Sequence, residues 1–334
     1  MAAPFRTALC DLLGIDHPIL VGGMMFLSDA RFVASVVNAG AMAFLTVRSF
    51  PRLEDLRDQL RLCADLTGGR PFGVNLSFST QPENNSAIPA QLDLALDHGV
   101  RHFETAGLLA PDLVAAIRAR DGVVVHKASR LRHACSAERA GVHAVTLVGM
   151  EEGGHPGANE LTTIVLAAGA APLLRIPYTV GGGIGTGGQV VAALAMGASG
   201  ATMGSRFLTA DEIWAHDLYK DHVATLDHDC STTALSSIAS TWRVLRNDTV
   251  AEVQRLEREG RTSFKDLGHL IRGTIARDHC YERGEWNTGM ISIGSAAGFA
   301  NRRMPTREIV AQLVAEMEEA RDRVAALGQS LRRA

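Results

Sequence analysis

Short apolar runs alternate with longer amphipathic stretches along the first two thirds of the chain. The apolar runs occupy residues 19–22, 41–46, 72–77, 102–105, 123–126, 144–148, 173–180 and 200–203. Helical periodicity fills 28–38, 51–65, 87–98, 110–120, 129–140, 160–168 and 186–196 between them. Short strands alternating with helices of about ten residues imply parallel βαβ units, and eight of them close into an α/β fold of the (β/α)8 TIM-barrel type. A doubly wound open sheet is the competing architecture and usually needs fewer strands. Ser28 stands where it can cap the helix over 28–38, and Pro111 where a first helical turn starts. After about residue 211 the rhythm changes: strand-like runs stop and charge rises. Residues 209–285 are therefore expected as a helical insertion or lid after the eighth strand. In the final stretch Ile309, Leu313, Met317, Val324 and Leu327 share one face and predict a last helix. The chain then divides into a barrel over 1–208, the insertion over 209–285, and a segment over 286–334 that completes the barrel.

Composition narrows the function. The chain has 334 residues, 46% of them hydrophobic, and 33 glycines, which suits a large core with many tight turns. The net charge is -3 with no Lys/Arg block, so nucleic acid and anionic membrane are poor partners. Cys10, Cys63, Cys135, Cys230 and Cys280 lie far apart with no C-x-x-C, which argues against a disulfide framework or a zinc knuckle. A reducing cytoplasm is the expected compartment. No basic segment precedes an apolar stretch near the N-terminus, so no signal peptide is read there. The longest apolar run, over 164–174, is too short to span a bilayer and contains Gly169 and Pro172.

Candidate chemistry clusters between residues 123 and 207. Gly183-Ile184-Gly185-Thr186-Gly187-Gly188 formally matches G-x-G-x-x-G. A dinucleotide site would want that pattern at the first strand, with an acid about 20 residues later. Here it follows the seventh strand, and no Asp or Glu occurs over 189–210. Barrel enzymes bind phosphate with the loops after strands seven and eight and a helix N-terminus. Gly182, Gly183, Gly204 and Ser205 form the candidate cradle, with two ligand-free tight turns as the plainer alternative. His155 lies among glycines and a proline just past strand six. A lone histidine is more often a surface or core residue, but this one stands at the expected barrel mouth, where an imidazole can take or give a proton. No metal is expected, because no second ligand has suitable spacing.

Lys127 ends strand five and is either solvated or placed to stabilise an anionic ligand. Asn75 is polar within an apolar run and either pairs in the barrel wall or meets a ligand edge. Gly22-Gly23-Met24-Met25 ends strand one, where glycines admit a planar ring and methionine packs on it. Ordinary core methionine is the alternative. No cysteine ends a predicted strand, which disfavours a cysteine-nucleophile barrel.

On these residues the chain resembles the nitronate monooxygenases, also called the 2-nitropropane dioxygenase family, which are FMN-dependent barrels. The carrying segments are 22–25, 71–76, 125–128 with 132–134, 153–157, the Gly-Gly-Gly-Ile turn and 203–207. The resemblance extends over about residues 10–320. It implies FMN across the barrel top, its phosphate near Gly182, Gly183, Gly204 and Ser205. Gly22, Gly23, Met24, Asn75, Lys127 and Gly154 complete the implied cofactor contacts, and His155 matches the catalytic base. In such enzymes the flavin passes an electron from an alkyl nitronate to O2, giving a carbonyl compound and nitrite. For neutral nitroalkanes His155 would first remove the α-proton. The implied partners are a small-molecule substrate and O2, with a homo-oligomer left open. Three departures fall on the expected substrate side: Ala41-Met42-Ala43 where glycines are usual, Ser295 where glutamine is common, and Phe26 where tryptophan is frequent. Relatives of the family act as NAD(P)H-dependent flavin reductases on quinones or enoyl thioesters, and fold alone does not separate these activities.

Overall fold

A computed structural model describes residues 5–79, 81–157 and 160–330; the outermost ends of the expected first and last segments, 1–4 and 331–334, lie outside it. Eight parallel strands close in chain order: β1 (Ile19–Val21), β2 (Met42–Thr46), β3 (Gly73–Phe78), β4 (His102–Gly107), β5 (Val123–Ala128), β6 (Ala144–Val148), β7 (Tyr178–Gly181) and β8 (Gly200–Met203). The seam is β8 on β1, with Ile19 opposite Ala201 and Val21 opposite Met203. Between the strands run α2 (Ala30–Asn38), α3 (Leu53–Thr67), α4 (Ile88–Asp97), α5 (Pro111–Arg118), α6 (Leu131–Arg139), α7 (Thr163–Ala170) and α8 (Gly187–Ala195). The architecture is the (β/α)8 barrel.

Alternation along each strand sorts residues between two environments. Phe103 and Val124 belong to the layer between sheet and helices, whereas Val125 belongs to a separate cluster with Leu20, Met42, Phe44 and Ala144. That cluster is completed by Leu9, Cys10 and Leu13 of an additional helix, α1 (Ala8–Leu13), which stoppers the amino end of the barrel. Toward the carboxyl end the interior turns polar. The hydroxyls of Thr146 and Thr179 are 2.8 Å apart, and so are those of Thr179 and Thr202. Polar groups buried here are tolerable because they satisfy one another.

Three local expectations are corrected. β7 begins at Tyr178, and Leu173 is instead half-exposed in the loop after α7. The cap of α2 is Asp29, which accepts from the Phe32 amide at 3.0 Å, while Ser28 Oγ accepts from the Met24 amide at 2.9 Å and ties down the β1 loop. The segment after β8 is not purely helical. It holds α9 (Asp217–Val223), an antiparallel hairpin of β9 (Ser231–Ala234) and β10 (Trp242–Leu245), then α10 (Asp248–Arg258), α11 (Phe264–Ile271) and the single turn α12 (Gly273–Ile275). The hairpin lacks a long apolar run because it rests on a small core of its own, built by Val244, Val250, Val253, Leu256 and Leu267. The last helix, α13 (Thr306–Ser330), lies against α8 and α2. Among the described residues no helix is long and apolar enough to cross a membrane.

Candidate active site

The carboxyl ends of the strands open into a cavity of about 1180 Å³. Small-molecule sites usually measure about 300–1,000 Å³, so this one has room for a cofactor and a substrate together. The structure brings every candidate residue to its wall. Gly22, Gly23 and Met24 come from the β1 loop, Asn75 from β3, and Lys127 from β5. Gly154 and His155 follow β6, Gly182 and Gly183 follow β7, and Gly204 and Ser205 follow β8.

A residue that the sequence did not single out organises the floor. Glu104, on β4, is fully buried. Its Oε2 accepts from the Gly23 amide at 3.0 Å and from Asn75 Nδ2 at 2.5 Å. Its Oε1 lies 3.2 Å from Lys127 Nζ, an ion pair without an aligned hydrogen bond. Asn75 is thus paired within the barrel, its Oδ1 also accepting from Ser77 Oγ at 2.9 Å. Lys127 is not a solvated strand-end lysine, since only 19% of its side chain is exposed. Burial alone would lower its pKa, but Glu104 and Glu152 outweigh that and raise it. Gly23 has to be glycine, because a Cβ there would lie 2.6 Å from that of Asn75.

Glu152 is the second group that the sequence left unremarked, although it stands three residues before His155. It lines the cavity, and its pKa is pushed up to about 7. Burial is the main cause; the Lys127 cation opposes the shift and the Glu104 carboxylate adds to it. The neighbouring Glu151 has a structural task, accepting from the Thr163 amide at the start of α7.

His155 Nδ1 is 3.1 Å from the Thr241 carbonyl, so Nδ1–H donates and Nε2 keeps its lone pair. Its ring lies 5.0 Å from that of Trp242, tilted by 30°. Solvent reaches the imidazole along the cavity, yet the walls crowd it. Burial lowers its pKa, with the Thr241 hydrogen bond opposing. The loop is pinned by Gly154, whose amide donates to the Arg243 carbonyl at 3.0 Å and whose carbonyl accepts from the Arg243 amide at 2.6 Å. Arg243 Nε also donates to the Met150 carbonyl at 2.7 Å. The His155 loop and β10 therefore form one unit. His126, on β5, is buried, and its Nδ1 sits 2.8 Å from Thr105 Oγ1.

The two turns at β7 and β8 offer backbone to an anion. Gly182 and Gly183 have φ of +105° and +70°, and a Cβ on Gly182 would lie 2.8 Å from Thr163 Oγ1. Ser205 Oγ accepts from the Gly294 amide at 2.8 Å, which leaves its own proton to donate. The start of α8 is less open than the sequence implied. Thr186 and Gln189 form a capping box, and Glu316 Oε2 takes the Gly187 amide at 2.7 Å. The glycine turns, and not the first turn of α8, are what fits a phosphate. Met24, the buried cation and the close-packed glycines likewise fit a planar, electron-accepting ring. No group of three or more residues suited to a metal occurs among the described residues.

Comparison with known proteins gives a consistent picture. A sequence profile described as nitronate monooxygenase matches residues 6–316. The chain is 30% identical over 251 residues to the (3aS,4S,5R,7aS)-5-hydroxy-7a-methyl-1-oxo-octahydro-1H-indene-4-carboxyl-CoA dehydrogenase of Rhodococcus jostii (strain RHA1), covering 75% of this chain and 68% of the relative. It is 26% identical over 371 residues to the nitronate monooxygenase of Paraburkholderia phytofirmans, covering 94% and 96%. Among solved structures, FabK from Thermotoga maritima superposes with a TM-score of 0.87 at 26% identity, covering 97% of this chain and 99% of that one. The nitroalkane oxidase from Streptomyces ansochromogenes gives 0.80 at 25% identity, covering 95% and 100%.

Proposed function

This chain belongs to the nitronate monooxygenase family of flavin-dependent oxidoreductases, and from that membership we propose that it oxidises alkyl nitronates with O2 to a carbonyl compound and nitrite, using FMN. The observation that carries the reading is His155: a neutral imidazole at the cavity wall with Nδ1 anchored on Thr241 and Nε2 left to accept. In this reading Gly182, Gly183, Gly204 and Ser205 hold the phosphate, and Gly22, Gly23, Met24, Asn75, Lys127 and Gly154 surround the ring. Bound FMN supplies the electron exchange between nitronate and O2. For a neutral nitroalkane His155 Nε2 takes the α-proton, and the Thr241 carbonyl steadies the imidazolium through Nδ1–H. Lys127 provides the positive field that favours the resulting anion. The 209–285 segment forms the outer wall through Trp242 and Tyr281, and we assign it the part of a lid between the barrel proper over 1–208 and the closing segment over 286–334. Five free cysteines accord with a reducing, cytoplasmic setting.

The test is His155→Ala. The purified variant should keep its yellow flavin and lose at least ~100-fold in kcat/KM on neutral nitroethane, while propyl nitronate, already deprotonated, reacts nearly as before. Wild-type rates on both substrates would remove His155 from the proton step.

A second reading is supported by the 30% identity to a carboxyl-CoA dehydrogenase and by the size of the cavity. In it the same residues would hold the flavin, and the bound group would supply hydride exchange for a thioester-bearing substrate, or between NAD(P)H and a quinone or enoyl thioester. Mixing without oxygen separates the two. Bleaching of the flavin by propyl nitronate and not by NADH or an acyl-CoA favours the first; the converse favours the second.

A further inference from the structure

We propose that Glu104 is the positioning residue of the flavin floor: one buried carboxylate presets the Gly23 amide, the Asn75 amide and the Lys127 ammonium against the ring. The inference rests on the flavin placement proposed above. The three groups come from the β1 loop, β3 and β5, and Glu104 on β4 contacts all of them, at 3.0, 2.5 and 3.2 Å. A carboxylate without exposure is costly unless it is fully engaged. The cluster at the amino end, which includes Leu20, Met42, Phe44, Val125 and Ala144, packs with apolar side chains. Filling space therefore does not require an acid at this position, whereas orienting three polar groups of two kinds does. An acceptor with two oxygens receives both amides on Oε2 and still faces the cation with Oε1.

Charge gives the arrangement a second effect. Glu104 offsets part of the Lys127 field. Taking the negative charge away leaves the cation less compensated and favours the flavin state with more negative charge, the reduced one. A residue that merely filled space would not discriminate between redox states.

The experiment titrates apoprotein with oxidised FMN and, without oxygen, with reduced FMN, in wild type, Glu104→Gln and Glu104→Asp. Glu104→Gln should bind oxidised FMN at least ~10-fold more weakly, the loss expected for charge-assisted hydrogen bonds, and reduced FMN should lose less. Glu104→Asp keeps the charge and should restore the wild-type ratio of the two affinities even where both are lower. If Glu104→Gln does not fold, Lys127→Met serves instead, with the opposite sign: reduced FMN loses more than oxidised. Wild-type affinities in Glu104→Gln, or an unchanged ratio in whichever of Glu104→Gln and Lys127→Met is titrated, overturns the proposal. A separate control concerns the flavin placement. If Gly183→Val binds FMN as wild type does, the placement itself fails; if Gly183→Val loses FMN while Glu104→Gln does not, only the role of Glu104 fails.

Discussion

Replacing Glu152 with glutamine should make the flavin-free protein more stable, and increasingly so as the pH rises. The side chain carries a pKa of about 7 in the folded protein against 4.5 for the free group. Burial is the first cause, opposed by Lys127 and reinforced by Glu104. Below about pH 4.5 the acid is protonated in both states and costs nothing. Between there and about pH 7 the unfolded chain has released its proton while the folded one holds it, so stability falls as pH rises. Above about pH 7 the full cost is present. A shift of about 2.5 units corresponds to ~3 kcal/mol at most, since each unit is worth ~1.4 kcal/mol and water entering the cavity screens part of it. Glutamine keeps the shape and cannot ionise. Equilibrium urea unfolding of wild type and Glu152→Gln apoprotein at about pH 5.5 and about pH 8.5 reads the difference directly. The advantage of the variant should grow by ~2 kcal/mol across that interval. Parallel pH dependences would show that Glu152 ionises as an ordinary surface acid, and the argument for a crowded triad of Glu104, Lys127 and Glu152 would fall.

Further predictions concern the base and the cofactor turns. Because burial depresses the imidazole of His155, the acidic limb of kcat/KM on a neutral nitroalkane should lie below about pH 6.5, a limb that His155→Ala abolishes. Gly183→Val places a branched side chain at φ +70° with its Cβ 3.2 Å from that of Glu151. Flavin per protein, read from visible absorbance, should fall ~10-fold or more, in line with strain of ~1–3 kcal/mol. Arg243→Ala removes the Nε–H donor to the Met150 carbonyl and loosens the His155 loop; kcat on the neutral substrate should drop ~10-fold while flavin content is kept.

The barrel was legible because strands buried on both faces, such as β1, β2 and β6, read as short apolar runs at regular spacing. The place of His155 on the cavity wall was legible from its frame of glycines and proline just past a strand end. Glu104 was not. In His102-Phe103-Glu104-Thr105 it reads as a polar strand position, and its partners Gly23 and Asn75 lie 81 and 29 residues away in sequence. The cluster exists only once the barrel has closed, so no local pattern announces it. The β9–β10 hairpin escaped for a different reason. Ser231, Thr232 and Thr233 give it no hydrophobic signature, and its stability comes from α10 and α11, which follow it in the chain. The capping box at α8 was visible as Thr186 followed three residues later by Gln189. Read correctly, it already reserved the first amides of that helix.

The stopper formed by Leu9 and Leu13 makes the barrel a blind alley. With that end filled, a ligand reaches the interior from the carboxyl ends of the strands, where Trp242 is part of the cavity wall. On the proposed reaction, product and the next substrate would share that approach, and the hairpin that carries Trp242 stands beside it.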